Sequence, residues 1–260
     1  MKVYLAGVQK SFLNTLPEEA PILLSFAEKN QTKLISELKG RDLVLDSGAF
    51  TAWRQDIKID LDQYISFLKK NKHITACIAL DVIGEGSESH LKNLDYMESK
   101  NIGVEIWPVF HEGDDFELLN QYVKRGYKKI AIAGTKRRGQ SGLLKWVESV
   151  FDFEKPGKNI IYHGLAMTQE KVIRSMQNLF DSVDSTTWLA FQKYGFKNNQ
   201  HLLNDRSEDF LKELGLLAIS SLERNPEFLR SLGIMVLSDM KKNPSKLIDI
   251  QKLPLFNLEN

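Results

Sequence analysis

Five polar side chains stand at or near the ends of short apolar runs: Asp46 after LVL, Asp81 after IAL, His111 after PVF, His163 inside NIIYHG and Asp184 closing FDSVD. A single aspartate in such a place is an ordinary cap for the helix that follows. Three carboxylates and two histidines on successive runs form a constellation that capping alone does not explain. Two chemistries suit these residue types. One carboxylate can attack an anomeric carbon while another handles the proton of the leaving group, the logic of retaining glycosyl transfer. The rival is a metal-dependent hydrolase of a small molecule with the histidines and aspartates as ligands, although no HxH or HExxH pair fixes a coordination geometry. No metal and no cofactor is therefore assigned.

The runs that carry these residues have a regular rhythm. Candidate strands are KVYLA (2–6), PILLSF (21–26), LVLD (43–46), ITACIALD (74–81), VEIWPVFH (104–111), KKIAIAG (128–134), NIIYHG (159–164) and FDSVD (180–184). Several are apolar at consecutive positions, the pattern of strands covered on both faces. Stretches with apolar residues three and four apart lie between most of them, as in 61–70, 115–126, 142–151 and 168–179. Eight strand–helix alternations predict a (β/α)8 TIM-like barrel over residues 1–204, whose strand ends converge on one mouth. No Gly-rich fingerprint follows the first strand, which argues against a dinucleotide-binding sheet. The pattern from 205 to 260 is helical, with no linker before it, and predicts a C-terminal helical extension packed on the barrel as part of one unit.

Composition narrows the classes. The 260 residues are 42% hydrophobic and 27% charged, with a formal net charge of +1. That is ordinary for a globular chain and announces no global field for nucleic acid, so any such binding rests on a local patch. The single cysteine, Cys77, excludes a disulfide framework and a Cys-based metal cluster, and its apolar surroundings mark it as a core residue. Neither a signal peptide nor a membrane span is recognisable, so a cytoplasmic location is the expectation.

DSGAFTAW (46–53), ALDVIG (79–84), IAIAG (130–134), NIIYHG (159–164) and FDSVDSTTW (180–188), in this order, resemble the tRNA-guanine transglycosylase superfamily of (β/α)8 enzymes. The wording of DSGAF and SVDSTTW is closer still to its small phage and bacterial relatives, the DNA-guanine transglycosylases that place 7-deazaguanines in DNA. The resemblance covers roughly residues 1–200. It implies that Asp184 attacks C1′ of a nucleotide to give a covalent glycosyl-enzyme intermediate, with Asp181 as competitor for that role. Asp184 is preferred because it opens the DSTTW loop, whereas Asp181 lies three residues earlier, across the pleat. By the same resemblance Asp46 transfers the proton, Asp81 bonds the Watson–Crick edge of the base, and Gly134 lies where backbone groups meet it. One cysteine cannot build the zinc module of the tRNA enzymes, which disfavours tRNA as substrate. Ala133-Gly134 replaces the expected glycine pair, which leaves base exchange and hydrolytic excision of a base, as in repair or anti-phage defence, both open.

Further contacts are expected around that site. Ser47 and Gly48 keep the approach to Asp46 open for a flat base, and Phe50 provides a wall. Trp53 and Trp188 lie near strand ends where an aromatic can stack on an extruded base, while Trp107 is expected in the core. His111 and His163 line the base site as structural groups or proton carriers. Lys136, Arg137 and Arg138 are positioned to hold DNA phosphates. The expected partners are DNA with a flipped-out nucleotide and a free 7-deazaguanine base, with salt-sensitive affinity.

Overall fold

The computed structural model describes residues 2–10, 13, 16, 20–134, 139–153, 160–167, 172, 175 and 180–186. Lys136, Arg137, Arg138, Trp188, most of the 168–179 stretch and the 205–260 extension lie outside the described residues.

Nine parallel segments make one sheet: β1 (Lys2–Ala6), β2 (Ile22–Ser25), β3 (Leu43–Asp46), β4 (Ala76–Ile78), β5 (Glu105–Trp107), β6 (Val109–His111), β7 (Lys129–Ala133), β8 (Ile161–Leu165) and β9 (Phe180–Ser185). Their hydrogen-bonded order runs β5, β4, β3, β2, β1, β9, β8, β7, β6. The two ends of that order, β5 and β6, are consecutive in the chain and separated only by Pro108. Pro108 has no N–H to donate, so the ladder breaks there. The first half of the strand pairs with β4 and the second half with β7, and the Pro108 carbonyl still accepts from Ala131 N–H at 2.9 Å. Covalent continuity through Pro108 thus closes an eight-stranded barrel, with the expected fifth strand split in two. The expected fourth strand is shorter than its apolar run, and Asp81 lies three residues beyond its last paired residue.

Helices follow the strands: α1 (Lys29–Thr32), α2 (Ala49–Gln55), α3 (Leu61–Lys70), α4 (Ser87–Ser99), α5 (Phe116–Lys124) and α6 (Gly139–Phe153). Alternation along each strand sorts its side chains into two layers. Leu5, Leu24, Leu45, Cys77, Phe110, Ile132, Tyr162 and Val183 face outward and join Tyr64, Leu68, Leu94, Leu119 and Val147 of the helices in the larger core. Tyr4, Leu23, Val44, Ala76, Ile78, Trp107, Val109 and Ala131 fill the barrel interior. Cys77 is fully buried, and burial is the main cause that pushes its thiol up to about 12, so it is inert core as expected. Trp107 is likewise interior packing.

Two helix tyrosines fasten the strand ends that carry chemistry. The Tyr64 hydroxyl on α3 lies 2.9 Å from the carbonyls of both Leu45 and Ile78, which share its proton. Tyr122 on α5 donates to Val109 O at 3.0 Å. Each buried hydroxyl satisfies carbonyl groups just upstream of Asp46, Asp81 or His111. Among the described residues no helix is long and apolar enough to cross a membrane.

Candidate active site

Asp46 is the last residue of β3, and the chain turns immediately behind it. Gly48 adopts a left-handed φ of 85°, and a Cβ there would lie 2.5 Å from Ala27 Cβ and 2.8 Å from Ala27 N. Only glycine fits this close approach to the turn after β2. Gly48 N–H then donates to Asp46 Oδ2 at 3.1 Å. Gly48, expected to keep the approach open for a flat base, serves packing and the orientation of the carboxylate. Burial is the largest influence on Asp46, followed by the charges of Asp81 and Asp184. Together they outweigh the Gly48 and Ser47 N–H groups and raise the carboxyl to about 7. The three carboxylates therefore share one electrostatic environment. Among the described residues none of the three has a lysine or arginine within ion-pair distance.

Asp81 is buried and bonds His111 Nε2 at 2.7 Å. The Asn93 side chain on α4 donates to Leu80 O at 3.2 Å and steadies the segment that delivers Asp81. Burial lowers the tendency of His111 to protonate, but the hydrogen bond and charge of Asp81, with Asp114 behind, outweigh it and raise its pKa. His111 thus binds a proton more readily than a free imidazole. The His111 backbone N–H donates to Asp114 Oδ2 at 2.7 Å, and the His90 ring from α4 packs against the His111 ring at 5.2 Å. Sequence reading did not single out His90, Asn93 or Asp114, because each acts through tertiary contact with a strand-end residue.

Asp184 is buried near the end of β9, and its Oδ1 accepts the Ala166 N–H at 2.8 Å. Ala166 has φ of 49°, a left-handed conformation that costs a non-glycine residue about 1–2 kcal/mol. Strain of this kind persists where the surroundings impose it, here on the turn that aims an amide at a carboxylate. His163 is fully buried beneath, with Nδ1 2.9 Å from Ser182 Oγ and Nε2 3.4 Å from Asp184 Oδ1.

Asp181 is elsewhere. The β8–β9 ladder slips by one residue between Tyr162 and His163, where Asp181 is the extra residue, so a simple pleat alternation does not describe it. Asp181 pairs with Lys129 at the first position of β7, roughly 10 Å along the strand from Asp184. Gly134 also has a packing role: a Cβ there would lie 2.1 Å from Leu143 Cδ1 and 3.1 Å from the Trp146 ring, both on α6. Ala133, half-buried, joins the interior layer. Phe50 and Trp53 on α2 are 59% and 54% exposed with ring centroids 5.9 Å apart, an aromatic surface one turn from Asp46. Ser47 is buried, and among the described residues its Oγ has no hydrogen-bond partner.

Among the described residues no three His, Cys, Asp or Glu side chains are arranged to hold a metal ion. His111 and His163 are each turned to a different aspartate, Asp81 and Asp184.

Fold and site together define a closed parallel barrel with an acidic mouth at the C-terminal ends of its strands. No protein-family model matches the chain, and no curated protein matches it. Solved structures similar to it include a mutant tryptophan synthase alpha-subunit from Pyrococcus furiosus, at 11% identity and a TM-score of 0.48, covering 80% of this chain and 96% of that one. Another is described as a fructose-1,6-biphosphate aldolase from Coccidioides immitis, at 9% identity and a TM-score of 0.49, covering 87% of this chain and 92% of that one.

Proposed function

We propose that this protein cleaves the N-glycosidic bond of a nucleobase in DNA through Asp184 and a covalent glycosyl-enzyme intermediate, with base exchange as the outcome. The observation that carries the reading is the unequal treatment of two neighbouring carboxyls. Asp46 is raised to about 7, so near neutral pH a large fraction holds a proton. Asp184, near the end of β9, has its Oδ1 held by the Ala166 N–H. A carboxyl that keeps its proton near neutral pH can serve as the acid while a second carboxyl beside it attacks.

In the first step an Asp184 oxygen attacks C1′, the C1′–N bond breaks, and its electron pair takes the proton of Asp46 as the base departs. In the second, Asp46 accepts the proton of the incoming nucleophile as that nucleophile displaces Asp184 from C1′. A free 7-deazaguanine gives exchange, and water gives excision. Asp81 and His111 form a donor–acceptor pair suited to the edge of a base. Phe50 and Trp53 offer π surfaces on which a base flanking the extruded nucleotide stacks. The three acids repel phosphates, so the strand must be held from the rim, the role expected of Lys136, Arg137 and Arg138.

The test is a DNA strand labelled at one end and incubated with protein, with and without added 7-deazaguanine, then treated with alkali. Exchange predicts incorporation of labelled 7-deazaguanine and intact strands. Alkali-labile sites without added base indicate excision through the same first step. Neither product with single- or double-stranded DNA would refute the proposal.

A further inference from the structure

His163 is a buried titratable group for which the mechanism above has no use. The ring is fully buried, edge-on to Tyr4 at 5.7 Å and against Trp107 at 5.2 Å. The titratable or charged groups that face it are Tyr4 from β1, Lys129 from β7, and Asp181 and Asp184 from β9. Burial, the largest influence, and the Lys129 charge outweigh the two aspartates and lower its pKa, so the ring is neutral. A neutral imidazole carries one proton, and its position has consequences at both nitrogens.

Nδ1 faces the Ser182 hydroxyl, and Nε2 faces Asp184 Oδ1, which already acts as acceptor toward Ala166 N–H. With the proton on Nδ1, a nitrogen lone pair would confront a carboxylate oxygen inside the barrel. With the proton on Nε2, that nitrogen donates to Oδ1 while Nδ1 accepts from Ser182 Oγ–H. Ser182 has a single proton, for which Asp181 competes. The Lys129 ammonium already supplies Asp181 with a charged donor, which leaves the serine proton for His163. The 3.4 Å contact at Nε2 is longer than a formed hydrogen bond, as is common where catalytic contacts tighten only in the reacting complex.

We propose that His163 is a positioning residue for Asp184: fixed by Ser182 as the Nε2–H tautomer, it joins the Ala166 N–H on Oδ1 and leaves Oδ2 as the attacking oxygen. The inference rests on the reading of Asp184 as nucleophile. In the covalent step the Oδ2–C1′ bond forms and Oδ1 becomes the ester carbonyl oxygen. When the second nucleophile displaces the ester, negative charge returns to the carboxylate, and the two donors on Oδ1 stabilise it as leaving group.

The test needs no DNA, so its outcome is independent of whether DNA is the substrate. Histidine nitrogen NMR of the labelled protein reads the tautomer of His163, and aspartate carboxyl-carbon NMR, assigned through Asp184→Asn, follows the titration of Asp184. The expected results are an Nε2–H tautomer at neutral pH and an Asp184 midpoint raised by roughly one to two units in His163→Phe. His163→Gln, whose amide N–H can occupy the place of Nε2–H, is expected to return the midpoint to that of the wild type. Ser182→Ala, a smaller change that decides the matter if His163→Phe does not fold, is expected to mix the tautomers. An Nδ1–H tautomer in the wild type, an imidazolium at neutral pH, or tautomers unchanged by Ser182→Ala would overturn the proposal, as would one Asp184 midpoint shared by folded wild-type, His163→Phe and His163→Gln proteins.

Discussion

The two ends of this barrel treat carboxylates in opposite ways. At the N-terminal end Asp42 takes the Lys2 ammonium and the hydroxyls of Tyr4 and Thr75, and Asp181 takes Lys129. At the C-terminal end Asp46, Asp81 and Asp184 gather with no lysine or arginine partner among the described residues. Asp181 and Asp184 are three positions apart on one strand and belong to the two regimes. Compensated charge is what a fold needs for its own stability, whereas three acids gathered without a lysine or arginine partner among the described residues repel one another and point to a use in chemistry.

The contrast predicts effects of descending size. Asp184→Asn is expected to abolish turnover, a loss of at least about 1,000-fold, with the fold intact by circular dichroism. Asp46→Asn should cost about 100-fold or more in rate by removing the proton carrier.

The same Asp46 substitution changes the dependence of stability on pH. A carboxyl raised from 3.8 to about 7 binds protons more tightly when folded. It therefore makes the protein less stable as pH rises from about 4 to about 7, by at most about 4 kcal/mol and less where water reaches the carboxylate. Denaturant melts of Asp46→Asn should lose that decline. Asp181 behaves in the opposite sense. Burial raises it, but the Lys129 hydrogen bond and charge outweigh burial and lower it, so its contribution is present above its unfolded pKa and lost as pH falls through its folded one. Asp181→Asn should reduce stability by about 1–3 kcal/mol at neutral pH, because it leaves the buried Lys129 ammonium without its carboxylate, and leave turnover within a few-fold of wild type.

Two further variants separate scaffold from surface. Gly48→Ala should destabilise by about 2–3 kcal/mol in urea melts, because it combines a left-handed φ with a clash against backbone. Trp53→Ala or Phe50→Ala should weaken DNA binding roughly 10-fold, read by fluorescence anisotropy, without changing the melting temperature.

Much of the barrel was legible because its strands are short runs rich in consecutive apolar residues, and LVLD and KVYLA match β3 and β1 to the residue. The fifth strand reads as one run because Pro108 is embedded in apolar neighbours. Its missing N–H matters only where the strand changes partner between β4 and β7. Asp46, Asp81 and Asp184 were legible as a set from their places at strand ends. The Asp81–His111 pair, the Tyr64 clamp, the Ala166 amide on Asp184 and the Ser182–His163 contact join residues distant in sequence, with no local pattern to betray them. Gly48 and Gly134 were recognisable as special positions, but the close neighbours that require them, Ala27 and Leu143, come from other elements.

Covalent trapping tests the central claim most directly: the protein is quenched during incubation with an oligonucleotide, digested, and its peptides mapped by mass spectrometry. The account predicts a deoxyribose-linked adduct on Asp184 in the wild type, accumulating further in Asp46→Asn when the oligonucleotide carries a base that leaves without protonation, and absent in Asp184→Asn. An adduct on Asp181 or another residue, or full turnover by Asp184→Asn, would contradict it.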